Sequence, residues 1–174
     1  MASELGVQTI QHTNGTDALT IGSDGSVLTP NRPAFSAWLD VTQTGLGINT
    51  HNTVVYDTVD FDTTSSFNTS TGVYTAPVTG IYQFSVFVNP DMSSGTADRM
   101  WGYFRIPNKT LDYQFAHLPT YASDRLGFSG SLIVDLTAND TIYVTTYVNQ
   151  GTTYSHNGDD GQFKYNWFTG YLIG

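Results

Sequence analysis

Closely spaced carboxylates are the side chains of this sequence whose types and spacing could do acid–base chemistry. Asp57, Asp60 and Asp62 fall on one short segment, and Asp159 and Asp160 are adjacent. Two carboxyl groups that face one another can hydrolyse a glycosidic bond, one as the acid and the other as base or nucleophile. Neighbours in sequence need not face one another, and dense acidic clusters are usually solvated loops. A glycan hydrolase is therefore the third of our functional hypotheses.

The later acidic loop could also bind calcium. Asn157, Asp159 and Asp160 offer oxygen ligands, which calcium prefers, in a chain of formal net charge −9. They are our candidate metal ligands, although no motif requires a cofactor. Asn157-Gly158 is also an ordinary turn former, and the spacing does not match an EF-hand loop. A turn without metal would explain the same residues.

Other catalytic patterns are missing from the sequence. It contains no Gly-x-Ser-x-Gly elbow, no phosphate-binding glycine loop and no His-Glu-x-x-His. The histidines lack the spacing of metal ligands and are predicted to be surface or interface residues: His12, His51, His117 and His156. Three rings near turns could stack on sugars or complete a core: Trp101, Tyr121 and Tyr154. We therefore predict a binding protein that is not an enzyme.

Charge and composition narrow the possible partners. Six Lys and Arg against 15 Asp and Glu argue against nucleic acid or an anionic membrane as the main partner. The longest nearly apolar run, residues 81–88, is far shorter than the ~20 residues that span a bilayer. With no cysteine, stability cannot depend on disulfides, so packing and assembly must supply it.

Abundant Thr, Tyr, Val, Gly and Asn, with only two lysines, predict an all-β chain. Alternating or short apolar runs predict strands over residues 34–41, 53–59, 80–88, 100–106, 111–118, 128–136, 141–148 and 163–173. Turn-forming residues separate these runs, a rhythm typical of a sandwich, jelly roll or barrel.

Two prolines, Pro30 and Pro33, separate a Gly- and Thr-rich N-terminal segment from the denser strands. Its turn pairs Asn14-Gly15 and Asp24-Gly25 predict short hairpins with little apolar mass. Such a segment cannot form a core by itself. We therefore predict that residues 1–32 attach the protein to a neighbour, and that residues 33–174 form the globular domain.

A specific spacing pattern runs through the globular domain. Its anchors are Tyr56, Asp62, Phe67, Tyr74, Gly80, Tyr82, Phe84 and Val86. This pattern resembles the globular head of complement subcomponent one-q. Tyr56 and Tyr74 stand where phenylalanine is usual in that family, and Val86 departs from the usual aromatic residue. Residues 33–37 and 168–173 resemble the opening and closing strands of that family.

The resemblance implies a ten-strand jelly roll, shared with the tumour-necrosis-factor superfamily, that assembles as a homotrimer. Five rings are then predicted to be packing residues: Phe35, Phe67, Tyr82, Phe84 and Phe168. The closing strand is the candidate trimer interface, with Phe168, Tyr171 and Ile173 as its residues.

Residues 14–35 also resemble virion appendage proteins of tailed bacteriophages. The sequence lacks the Gly-X-Y stalk and the secretion signal of many animal relatives, which favours a phage source. We predict a structural or adhesive protein of the virion surface: a trimeric fibre, spike tip or capsid-attached appendage. Its partners would be other virion proteins, through residues 1–32, and a host surface glycan or protein. The alternative is an extracellular or cellular one-q-like binding module.

Overall fold

Strands make up nearly all of the regular structure. The computed structural model describes residues 6–92, 96–97, 99–119, 121–122, 127–149 and 153–174. Within these residues one short 3-10 helix, Pro107–Lys109, interrupts the strands. The strands are β1 (Thr9–Gln11), β2 (Asp17–Ile21), β3 (Val27–Leu28), β4 (Ala34–Trp38), β5 (Gln43–Leu46), β6 (His51–Thr53), β7 (Thr58–Asp62), β8 (Phe67–Asn68), β9 (Val73–Thr75), β10 (Gly80–Val88), β11 (Pro90–Asp91), β12 (Thr96–Ala97), β13 (Arg99–Ile106), β14 (Leu111–Leu118), β15 (Tyr121–Ala122), β16 (Phe128–Leu136), β17 (Thr141–Asn149), β18 (Tyr154–His156) and β19 (Trp167–Leu172). The predicted all-β class is confirmed.

Five antiparallel strands form the first sheet, in the order β16-β10-β19-β4-β7. Strand β10 pairs with β16 along its whole length and with β19 on its other side. Side chains of β10 alternate between the faces, so Tyr82, Phe84 and Val86 are buried while Ile81 is exposed. The alternation that predicted this strand is the alternation between core and outer face.

The second sheet has the order β14-β13-β17-β9-β8, and β6 also pairs with β17. In β13, Met100, Phe104 and Ile106 point to the core, while Trp101 and Tyr103 face outward and are half-buried. Sheets of five and six strands agree with the jelly roll that the resemblance implies. Smaller antiparallel groups, β11-β18-β5 and β12-β15, lie outside the two main sheets.

Aromatic rings from both sheets fill the space between them. Phe35 of β4 stacks on Tyr74 of β9 with ring centroids 4.6 Å apart, and contacts the edge of Phe168 of β19 at 5.0 Å. Phe84 of β10 lies 5.8 Å from Phe168. Gly170 of β19 allows this packing, because a Cβ there would lie 2.5–2.6 Å from the Phe84 and Phe35 rings.

The five rings predicted to be packing residues all belong to this core. Phe35, Tyr82, Phe84 and Phe168 are at most 1% exposed, and Phe67 is partly buried against them. Their predicted packing role is confirmed.

Three predicted strands differ from the observed ones by more than one residue at an end. The strand predicted over residues 34–41 is β4, which ends at Trp38. Instead of one strand over residues 53–59, β6 ends at Thr53 and β7 begins at Thr58. The chain between them buries Val54 and Tyr56 while it passes from the second sheet to the first, which produces the apolar alternation without sheet pairing. The last strand begins at Trp167 and not at residue 163, because residues 161–165 form a loop held by the Asp160 carboxylate.

The N-terminal segment forms its own three-stranded sheet, in the order β1-β2-β3. Gly15 and Gly25 have the positive φ values, 86° and 81°, that its two turns require. The Asn31 side chain donates a hydrogen bond to the Asp17 carbonyl at 2.9 Å. The Arg32 guanidinium donates to the carbonyls of Leu172 and Ile173, so this residue joins the segment to the last strand of the jelly roll.

Candidate binding surfaces

The outer face of the first sheet carries apolar side chains that no other part of the chain covers among the described residues. We call this set the apolar face: Phe61 of β7, Ile81 of β10, Ile133 of β16 and Tyr171 of β19, exposed by 51, 48, 63 and 46%. Ile133 and Tyr171 flank Gln83 in register. The Tyr171 hydroxyl donates to Gln83 Oε1 at 2.7 Å, which holds the ring along the sheet. An apolar surface of this kind is suited to contact with another protein.

The three predicted interface residues do not lie together. Phe168 is fully buried in the subunit's own core, so its ring is not available to a neighbouring subunit. Tyr171 belongs to the apolar face, and Ile173 is 38% exposed just beyond β19. Side chains alternate between the two faces along a strand, so Phe168 and Tyr171, which are three positions apart, point to opposite faces.

The candidate calcium ligands are engaged in hydrogen bonds of the loop. Asn157 is buried and donates to Asn89 Oδ1 at 2.7 Å. Asp159 Oδ1 accepts the Gly161 N–H at 2.7 Å. Asp160 accepts hydrogen bonds from the Tyr165 hydroxyl and from the N–H groups of Phe163 and Gln162, and these bonds hold the pKa of its carboxyl below the usual value. These contacts fit a structural turn, and calcium binding by the three side chains stays a prediction.

The carboxylates considered for glycan hydrolysis also have separate partners. Asp57 accepts the backbone N–H groups of Asp40 and Val41 at 2.7 and 3.1 Å. Asp60 pairs with Lys164 at 2.6 Å. Asp62 accepts the N–H groups of residues 64 and 67.

Within the described part of the chain, no group of three His, Asp or Glu side chains could hold a metal ion.

His156 is fully buried, so its predicted surface position is wrong. The Gln43 amide is oriented by its bonds to the Thr53 carbonyl and the Val55 N–H, so Gln43 Oε1 accepts from His156 Nδ1 at 3.2 Å. His156 Nε2 then accepts from the Thr146 hydroxyl at 2.9 Å. Burial lowers the pKa of His156 to about 3, so the ring is neutral at pH 7.

Tyr154 belongs to the same buried network. Its hydroxyl lies 2.7 Å from the Thr146 hydroxyl and accepts from Asn52 Nδ2 at 2.9 Å. The ring is 3% exposed and is therefore not available to stack on a sugar. The Tyr121 side chain lies outside the described residues.

Four rings form a line across the outer face of the second sheet. We call it the ring row: His51 of β6, Tyr147 of β17, Trp101 of β13 and His117 of β14, which are cross-strand partners in register. Neighbouring centroids are 5.0, 5.4 and 5.2 Å apart, and Trp101 and His117 stack within 11° of parallel. Of these four rings, sequence reasoning identified only Trp101 as one that could stack on a sugar, and it predicted a surface or interface position for His51 and His117. The alternation of β13 places Trp101 and Tyr103 on its outward side, and this was the signal in the sequence for an aromatic surface on the second sheet.

No helix in the described part of the chain is long and apolar enough to cross a membrane.

Solved structures with little sequence similarity share the fold. The globular domain of zebrafish complement 1qA has a TM-score of 0.58 at 22% identity, covering 82% of this chain and 98% of that one. Murine APRIL gives 0.53 at 8% identity over 82% and 99%. The PRD1 vertex protein P5 gives 0.55 at 14% identity over 82% and 98%.

Sequence comparison gives the family directly. No curated protein matches the chain. The family model of the C1q domain, however, matches residues 34–173, which is nearly the whole of the predicted globular domain and most of the chain. The protein therefore belongs to the C1q domain family.

Proposed function

We propose that this C1q-domain protein is a homotrimeric binding module of a bacteriophage virion, as a fibre, spike tip or capsid-attached appendage. Residues 1–32 would attach it to other virion proteins, and the jelly roll would face outward to bind a host surface glycan or protein. The observation that carries this proposal is the apolar face of the first sheet. The domain belongs to the C1q family, and the resemblance to that family implies a trimer. We propose that the apolar face of each chain packs against the other two copies in the trimer.

The proposed assembly has a simple physical reason. Apolar surface gains about 25 cal/mol for every Å² removed from water. Isoleucine, phenylalanine and tyrosine side chains on a sheet face are therefore stabilised by contact with another copy, and closed symmetric assemblies are the usual result. The net charge of −9 per chain opposes association, so the apolar contact must outweigh charge repulsion.

The virion role is supported by two likenesses. The N-terminal segment resembles appendage proteins of tailed phages, and the fold resembles a phage vertex protein, P5 of PRD1. An extracellular or cellular binding module would have the same jelly roll. Portal, capsid and tail genes beside this gene would favour the virion role, whereas a gene neighbourhood without them would contradict it.

Light scattering of the purified chain tests the assembly. We expect about three times the 19.0 kDa of one chain. Ile133→Lys and Tyr171→Asp place charges on the apolar face and should dissociate the trimer. Val41→Lys is the matched control, because Val41 is 67% exposed but lies outside both main sheets. A mass of one chain for the wild type would contradict the proposal.

A further inference from the structure

We propose that the ring row is a binding site for a neutral, linear sugar chain. The proposal deepens the function above, because it assigns the binding activity of the module to one surface and one class of ligand. It rests on four observations: the line of rings, a pocket between them, the polar groups beside them, and the different chemistry of the apolar face.

The line of rings has the extent of a short oligosaccharide. Its members stand on four adjacent strands, so it crosses three strand spacings, or roughly 14 Å at about 4.8 Å each. Tyr147 and Trp101 are half-buried in the middle, and His51 and His117 are exposed at the two ends. A linear ligand that lies across the strands would therefore meet a ring at every step.

A shallow pocket of about 120 Å³ opens between the rings. His51, Trp101, Tyr103 and Tyr147 line it. The His51 ring contacts the Tyr103 and Tyr147 rings at 5.2 and 5.0 Å, which fixes the pocket's shape. Sugar rings have apolar C–H groups as well as hydroxyls, and aromatic rings with polar edges suit such amphipathic ligands.

Polar side chains lie next to the rings. Two positions along from Tyr103, Arg105 pairs with Asp112 at 2.6 Å. Gln114 is exposed beside Tyr103 in register on β14. Guanidinium, carboxylate and amide groups can bond to sugar hydroxyls from the edge of the pocket. Burial and the nearby Arg105 charge lower the pKa of His51, which favours the neutral form of this ring.

The ring row differs in chemistry from the surface proposed for assembly. None of the exposed large hydrophobic side chains of the described residues lies on the second sheet, whereas Ile81, Ile133, Phe61 and Tyr171 lie on the first. A surface of rings and polar groups without exposed aliphatic side chains is less suited to another copy of the chain. The chain's net charge of −9 disfavours acidic polymers and therefore favours a neutral over an acidic sugar chain as the occupant.

Native gels that contain polysaccharide test this site with the full chain. The probes are dextran, mannan, starch and galactomannan, with acidic polygalacturonate for comparison. We expect at least one neutral polysaccharide to retard the wild type. Trp101→Ala should weaken that retardation at least tenfold, and Trp101→Phe should weaken it less because a ring remains. Phe163→Ala is the matched control, since Phe163 is an exposed ring on a loop outside the ring row.

The outcomes separate this proposal from the assembly. If Trp101→Ala fails to fold by thermal melting, His117→Ala at the exposed end of the row replaces it. The site is overturned if no neutral polysaccharide retards the wild type, if retardation survives both substitutions, or if only polygalacturonate acts. A trimer that binds none of the probes contradicts the sugar site alone, and a monomer that binds contradicts the trimer alone.

Discussion

Two buried tyrosines differ in whether their hydroxyl groups have partners. The Tyr56 hydroxyl is buried without a hydrogen bond, at a position where the family resemblance gives phenylalanine as the usual residue. The Tyr154 hydroxyl bonds to Thr146 and Asn52. A buried polar group without a partner costs free energy, whereas a bonded one does not.

We expect Tyr56→Phe to raise the free energy of unfolding by about 1 kcal/mol, because it removes an unpaired buried hydroxyl. Tyr154→Phe should lower it by about 1–3 kcal/mol, since the partners of that hydroxyl are left unpaired. Urea denaturation of both variants at equal chain concentration measures the difference. Equal destabilisation by the two substitutions would contradict the distinction.

His156 should make the protein sensitive to acid. Its pKa is about 3 when folded, against about 6.5 in the unfolded chain, so the unfolded state binds a proton more readily. Stability is therefore full above pH 6.5 and falls as the pH is lowered towards 3. The slope approaches about 1.4 kcal/mol per pH unit, or about 3 kcal/mol between pH 6.5 and pH 4.

Unfolding free energies at pH 7 and pH 4 measure this effect. His156→Gln should be less stable than the wild type at pH 7, because it alters the network with Thr146 and Gln43, but should lose less stability between the two pH values. His12→Gln, in the exposed N-terminal segment, should keep the wild-type pH dependence. An unchanged pH dependence in His156→Gln would rule out His156 as its source.

At the scale of elements, the sequence predicts strands best where one face is core and the other is solvent. The predicted strands over residues 80–88, 111–118 and 128–136 agree with β10, β14 and β16 at both ends. The crossing segment around Val54 and Tyr56 has the same alternation because it is buried between the sheets, so alternation alone could not distinguish it. The ring row depends on the pairing of four strands, of which only β13 and β14 are neighbours in sequence, and no local pattern specifies the register with β17 and β6.

The N-terminal sheet gives a prediction at the same scale. A chain that begins at Asn31 should still fold and assemble, because it keeps Arg32 and its bonds to the carbonyls of Leu172 and Ile173. Light scattering and thermal melting compare it with the full chain. An insoluble or monomeric product, beside a soluble trimer of the full chain, would show that the first 30 residues belong to the fold.

At the scale of the whole molecule, assembly should respond to salt. Each chain carries a formal charge of −9, so bringing three together is opposed by repulsion. Raising the ionic strength from about 0.01 M to about 0.15 M shortens the Debye length from about 30 Å to about 8 Å. We expect the trimer to be more stable in the higher salt, so that it dissociates only at lower chain concentrations, and sedimentation measures this change. Weaker association at higher salt would indicate that ion pairs dominate the contact.

The pairing of β4 with β19 places the two ends of the jelly roll side by side. The Leu172 N–H donates to the Pro33 carbonyl at 2.9 Å, so the chain enters and leaves the domain at one point. A domain with adjacent ends can be inserted into a surface loop of another protein at a small cost in loop closure. The C1q domain, residues 34–173, is therefore suited to insertion into different carrier proteins, each of which would present the same surfaces at a different place.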